Sequence, residues 1–220
     1  MRSRAASIAK MTIGSADAQA AIAPRTTSTY ADFLRGLWDD PKAVSAPTPS
    51  GRALAHAIAA EVDPHTPGLV VELGAGTGTI TSALIERGIR EERLILFESV
   101  PAFHTLLSRR FSRATVRGAD AFRFDRDLPE GARIAAVVSG IPLLNYPMAE
   151  RICLIERALD RQGPGATFIQ LSYGWWPPIP PGMGVRLSRR VIFRNFPPAH
   201  VWIYRRSAAK CAQSLGTKAS

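Results

Sequence analysis

Val70-Val-Glu72-Leu-Gly74-Ala-Gly76-Thr-Gly78 is the stretch that decides the fold. The apolar run Gly68-Leu-Val-Val-Glu-Leu73 leads into it, and Thr79 to Arg87 leaves it with helical spacing. That order predicts a buried strand, a tight glycine turn and a helix, with Gly88 placed as the helix C-cap. Gly74 and Gly76 let the backbone turn sharply and approach a ligand, while Gly78 serves the same turn or close packing. A dinucleotide-binding loop reads G-x-G-x-x-G. Here the spacing is G-x-G-x-G, with Glu72 two residues ahead of the first glycine.

Outward from this loop the pattern alternates. Leu94–Glu98, Ala114–Arg117, Ile134–Val138 and Ala166–Leu171 read as strands. Pro101–Phe111 and Met148–Leu159 read as helices, the second ended by Gly163. Such alternation predicts an α/β fold with a mostly parallel sheet covered on both faces. Val185–Phe193 and His200–Tyr204 are two further strands, and the short Asn195–Ala199 connection forces them antiparallel. Before the loop, Tyr30, Phe33, Leu34, Leu37 and Trp38 mark one face of a short helix. Leu54, Ala55, Ile58 and Val62 mark another, for which Ser50 is a candidate N-cap. Residues 1–29 read as a mobile tail: they carry a targeting peptide's basic, Ser/Thr/Ala-rich composition but no compact apolar segment. Residues 30–66 form the N-terminal helices, 67–206 the core and 207–220 a second tail.

With 220 residues and 46% hydrophobic content, one domain with a sizeable core is expected. The net charge of +10 favours an anionic partner: nucleic acid, a phospholipid surface or an anionic small molecule. Cys153 and Cys211 form no metal-spaced cluster and suit a reducing cytosol. Cys153, in the apolar run Arg151-Ile-Cys-Leu-Ile-Glu156, is expected in the core. His56, His65, His104 and His200 share no ligand spacing and read as surface or capped histidines, so no metal is expected. No run approaches the ~18–20 apolar residues of a membrane span, so membrane contact would be peripheral.

Three acids follow the first three strands. Glu98 ends the second, where a carboxylate accepts from ribose hydroxyls. Asp120, in Arg117-Gly-Ala-Asp-Ala-Phe122, follows the third. The E-x-G-x-G-x-G pattern with these acids resembles motif I and its neighbours in class I methyltransferases. The resemblance implies a seven-stranded Rossmann-like fold and S-adenosylmethionine as cofactor, with S-adenosylhomocysteine as product. It assigns to the cofactor Glu72 and the loop Gly74, Ala75, Gly76, Thr77 and Gly78, with Glu98, Ser99 and Ser139. Asp120 would accept from the adenine amino group and Ala121 would donate from its backbone.

The fourth strand leaves through Val138-Ser139-Gly140-Ile141-Pro142-Leu-Leu-Asn145-Tyr146-Pro147. N6-adenine methyltransferases carry Asn/Asp-Pro-Pro-Tyr or Asn-Leu-Pro-Tyr here. This chain has Ser139 in the first position, and Tyr146 lies four residues beyond Pro142. The segment is instead similar to the bacterial phospholipid N-methyltransferases, soluble enzymes that resemble rRNA adenine dimethylases but act on phosphatidylethanolamine. That resemblance runs from about Tyr30 to Arg206. It implies stepwise N-methylation toward phosphatidylcholine by a cytoplasmic monomer associated peripherally with the inner face of the membrane. Tyr146, Ser139 and the carbonyl of Gly140 are the candidates to orient the amine. Tyr173, Trp175 and Trp176 could wall a site for a quaternary ammonium. Arg186, Arg189, Arg190 and Arg194 suit lipid phosphates, and Tyr30, Phe33 and Trp38 would dip into the membrane or close over the cofactor. The rival expectation is adenine N6-methylation of rRNA or another nucleic acid, against which the altered fourth-strand motif speaks. A lipid-binding module without activity is disfavoured by Glu72, Glu98 and Asp120.

Overall fold

The computed structural model describes residues 49–182, 185–193 and 198–206. The expected Tyr30–Trp38 helix, both tails and Arg194 lie outside the described residues.

Seven strands form one sheet: β1 Leu69–Leu73, β2 Leu94–Phe97, β3 Thr115–Arg117, β4 Ile134–Ser139, β5 Gln162–Ser172, β6 Val185–Ile192 and β7 Ala199–Arg206. Their spatial order is β3-β2-β1-β4-β5-β7-β6. The first five run parallel, and β7 lies antiparallel between β5 and β6. β2 and β4 are buried along their whole length, which is why they read as unbroken apolar runs. The strand order reverses between β1 and β4, the place where an open α/β sheet leaves a crevice at its carboxyl edge.

Helices cover both faces. On one, α1 (Pro49–Ala59), α2 (Thr79–Glu86) and α3 (Pro101–Arg110) pack Leu54, Ile58, Leu84 and Leu107 onto Val70, Leu96 and Val138. On the other, α4 (Met148–Asp160) packs Leu154, Ile155, Ala158 and Leu159 with Phe124 onto Val71, Phe97, Val137 and Phe168. After α2, Gly88 N–H donates to Ile85 O and Ile89 N–H to Leu84 O, the paired bonds of a glycine-closed helix end.

Three sequence expectations need correction. Cys153 is exposed, because the buried face of α4 falls at Leu154, Ile155, Ala158 and Leu159 and leaves position 153 outside it. Gly163 does not end α4: the helix stops at Asp160, and by Gln162 the chain already pairs with Ile134 on β4. Ser50 lies inside α1, which starts at Pro49, where a proline's missing N–H leaves no helical bond unmade.

Candidate active site

The glycine loop sits at the carboxyl ends of β1, β2 and β4. Gly74 N–H and Ala75 N–H both donate to Phe97 O (2.8 and 3.2 Å), and Gly140 N–H donates to Leu73 O (2.8 Å). A Cβ on Gly140 would stand 3.0 Å from Gly74 O, so the two loops touch backbone to backbone. Gly78 (φ +80°) takes a left-handed conformation under Phe111, whose ring would lie 2.4 Å from any Cβ there. Gly76 (φ +55°) is the opposite case: nothing lies within 4 Å of its missing Cβ, and the loop is open on that side.

The three acids occupy different environments. Glu98 is buried beneath the loop and ties it to the β2 exit, accepting from Gly76 N–H and Val100 N–H at 2.8 Å each. Each of its oxygens keeps a second lone pair for a ribose hydroxyl. Asp120 is exposed, and its Oδ1 caps the 3-10 turn Ala121–Arg126 by accepting from Phe122 N–H (2.9 Å). Ala121 opens that turn, and Ser99 is exposed beside Glu98. Glu72 is fully buried. Its Oε2 accepts a 2.6 Å bond from Thr81 Oγ1, and its Oε1 has no partner among the described residues. Burial pushes the Glu72 carboxyl up to about 8; the Thr81 bond opposes this and the nearby Glu98 adds to it. Thr77 Oγ1 shares a hydrogen bond with Thr79 Oγ1 (3.2 Å), and Thr77 O accepts from Arg110 Nη1 (3.0 Å).

On the substrate side Ser139 is fully buried at the end of β4, its Oγ without a partner among the described residues. Tyr146 is half-buried and lays its ring on Phe122, centroids 4.6 Å apart. Thus the residue two places after the third-strand acid and the aromatic residue beyond the fourth strand meet at one wall.

Arg151, which the sequence reading passed over, ties this wall together. From α4 its Nε donates to Tyr146 O (2.6 Å), Nη2 to Leu144 O (3.1 Å) and Nη1 to Pro178 O (3.3 Å). It therefore links the β4 exit to the proline-rich segment after β5. Gln170 Nε2 donates to Ile141 O (2.7 Å), and the Tyr204 hydroxyl bonds both N–H and carbonyl of Ile179 (3.2 and 3.3 Å). No spacing rule finds such side chains, since their partners are backbone groups of other loops.

Trp175 and Trp176 are exposed, and Trp175 stacks at a tilt on His200, 5.0 Å between centroids. His200 is not at the surface: it is buried with Nδ1 unpartnered among the described residues, and burial together with Arg189 holds its pKa below the usual value. The arginines divide. Arg190 and Arg205 both pair with the buried Glu61 carboxylate that follows α1, so Arg190 is already committed. Arg206 pairs with Asp160. Arg186 is exposed, and Arg189 lies over the Trp202 ring (5.4 Å).

No family model matches the chain. The ornithine lipid N-methyltransferase of Singulisphaera acidiphila is 30% identical over 184 residues, covering 79% of this chain and 94% of that protein. The chain belongs to the family of that lipid N-methyltransferase. It is a class I, S-adenosylmethionine-dependent methyltransferase. The same fold recurs in CcbJ from Streptomyces caelestis (TM-score 0.56, 17% identity, 80% of this chain and 96% of that one). It recurs in the Burkholderia thailandensis 1,6-didemethyltoxoflavin-N1-methyltransferase (0.55, 16%, 80% and 86%), whose structure holds S-adenosylhomocysteine. TrmN from Thermus thermophilus also shares it (0.55, 20%, 73% of this chain), and there the chain spans about half, 53%, of the neighbour.

The residues of this methyltransferase fit its cofactor. Gly76 leaves the loop open for a ligand's close approach, Glu98 stands ready under it, and Glu72 Oε1 and Ser139 Oγ are hydrogen-bonding groups not yet used among the described residues.

Proposed function

We propose that this methyltransferase N-methylates the primary-amine head group of a membrane lipid, with phosphatidylethanolamine and its methylated derivatives as substrates. The observation that carries this reading is the β4 exit. Ser139 is buried rather than projecting, and the Tyr146 ring is already packed on Phe122. An adenine-methylating site needs a projecting acceptor for a weakly basic exocyclic amine and a free aromatic face for the base. A flexible alkylamine needs neither. The lipid N-methyltransferase relative supports the same substrate class.

When bound, S-adenosylmethionine supplies a methyl group already activated on a sulfonium. The chain's task is then to hold a neutral amine in line and keep water out, and proximity and orientation supply most of the acceleration. Glu98 and the glycine loop fix the cofactor end. The Gly140 carbonyl and Tyr146 are assigned to the amine, with the buried Ser139 behind them, and Arg151 holds their loop in place through Leu144 O and Tyr146 O. Exposed Arg186 and Arg189 favour an anionic membrane surface as the place of encounter. No helix among the described residues is long and apolar enough to cross a membrane.

The test is incubation with labelled S-adenosylmethionine and, separately, phosphatidylethanolamine vesicles, ornithine lipid vesicles and undermethylated ribosomal RNA. Label in phosphatidylethanolamine is expected. Label in ornithine lipid alone would move the substrate within the lipid class, and label in RNA alone would overturn the lipid reading.

A further inference from the structure

The carboxyl edge of the sheet carries a cluster of large exposed side chains. Trp176 and Phe193 are each 78% exposed, Trp175 69% and Tyr173 47%. Strand register makes them neighbours. Ser172, His200 and Val191 form one rung across β5, β7 and β6. Tyr173 to Trp176 leave β5 just past that rung, and Phe193 leaves β6 two residues past it. At about 4.8 Å per strand the two exits are about 10 Å apart. Two residues below runs the rung Ser139–Gln170–Trp202–Arg189, so the aromatic rim stands on the same edge as the β4 exit.

The rim is held out by a braced loop. Gly174 N–H donates to Ser172 Oγ (3.0 Å), and a Cβ on Gly174 would meet Leu144 at 2.3 Å. Trp175 rests on His200, Ile179 is bonded twice to Tyr204, and Pro178 O accepts from Arg151. Pro177, Pro178, Pro180 and Pro181 stiffen what remains. Folding thus fixes two indoles in solvent instead of burying them. Two residues below Val191 the outermost strand exposes Arg189, on the same face of the sheet as His200. Amphipathic rings next to a guanidinium group match the head-group layer of a bilayer, where indoles partition and arginines meet phosphate.

We propose that this rim, centred on Trp176 and Phe193, docks into an anionic lipid surface and turns the carboxyl edge of the sheet toward the bilayer, so that a head group enters between the β4 exit and the Tyr173–Trp176 segment. The proposal rests on the lipid reading of the site. Its occupant is a membrane; cover by another protein segment or a second copy is an outcome the test separates.

The experiment uses the full chain with vesicles of phosphatidylethanolamine and phosphatidylglycerol. Trp176→Ser/Phe193→Ser should weaken vesicle sedimentation at least about tenfold, and lipids brominated in the acyl chain should quench wild-type tryptophan emission more than that of the double variant. Phe193→Ser alone should slow methylation of vesicle lipid while leaving turnover of a dispersed short-chain phosphatidylethanolamine unchanged. Wild-type vesicle affinity in a folded double variant would overturn the proposal, as would shielding of Trp176 from acrylamide without vesicles. Rim-dependent binding with no lipid labelled would instead sink the substrate reading and leave the docking surface standing.

Discussion

Replacing the Glu72 carboxyl by an amide, Glu72→Gln, should remove part of the chain's dependence on pH. Glu72 is fully buried, with one oxygen bonded to Thr81 and the other unpartnered among the described residues, and burial raises its pKa from 4.5 to about 8. The native state therefore keeps a proton that the unfolded state gives up above pH 4.5. Wherever the native state binds more protons, stability falls as pH rises, at about 1.4 kcal/mol per pH unit for one proton. The loss begins near pH 4.5 and levels off near pH 8, where the folded carboxyl ionises. The amide would keep the acceptor for Thr81 and carry no proton to lose. Between pH 5 and pH 7 the variant should gain on the wild type by roughly 2–3 kcal/mol, close to one proton over two pH units. Urea titrations of both proteins without cofactor at pH 5, 6 and 7 measure this directly. Parallel stability curves would mean that Glu72 is ionised in the fold and that a counter-charge or solvent reaches Oε1.

Glu98→Ala removes the carboxylate that bridges Gly76 and Val100, so calorimetry should show S-adenosylhomocysteine binding weaker by about 1–3 kcal/mol; unchanged affinity would remove Glu98 from the site. Arg151→Met strips three carbonyls of their donor and should cost about 1.5–3 kcal/mol of stability. It should also lower turnover while S-adenosylhomocysteine affinity stays within about threefold, and equal losses in both would refute a role confined to the substrate wall. Tyr146→Ala should cut kcat at least tenfold, about 1.4 kcal/mol of transition-state stabilisation, with cofactor affinity preserved; steady-state kinetics on lipid vesicles decide it.

What could be read from the sequence was what short range determines. Apolar runs such as Leu94–Phe97 announced strands buried on both faces, the glycine spacing located the crevice, and a connection too short for a crossover made β6 and β7 antiparallel. What failed depended on distant partners. Cys153 lies in an apolar run yet faces outward, because only packing against the sheet decides which side of α4 is buried. Arg190 reads from the sequence as a lipid-phosphate ligand, but the segment after α1 sets Glu61 against it. Arg151 and Gln170 spend their donors on carbonyls of other loops, and nothing in their own neighbourhood marks them. Thr81, nine residues from Glu72, meets it because the turn folds α2 back against β1.

The interior position of β7 bears on how the molecule is made. Among the described residues β7 is the strand that β6 pairs with along its length, and β5 meets β7 rather than β6 on its outer side. During synthesis Val185–Ile192 is complete before any strand it can join exists, and β5 waits with one edge unpaired. The sheet, and with it the loop that carries Trp175 on His200, closes only when the residues from Ala199 onward slide between two strands already made. The Trp175–Ile179 loop thus takes its place only with β7 in the sheet, and a nick before Ala199 would leave an exposed β-edge beside two solvent-facing tryptophans.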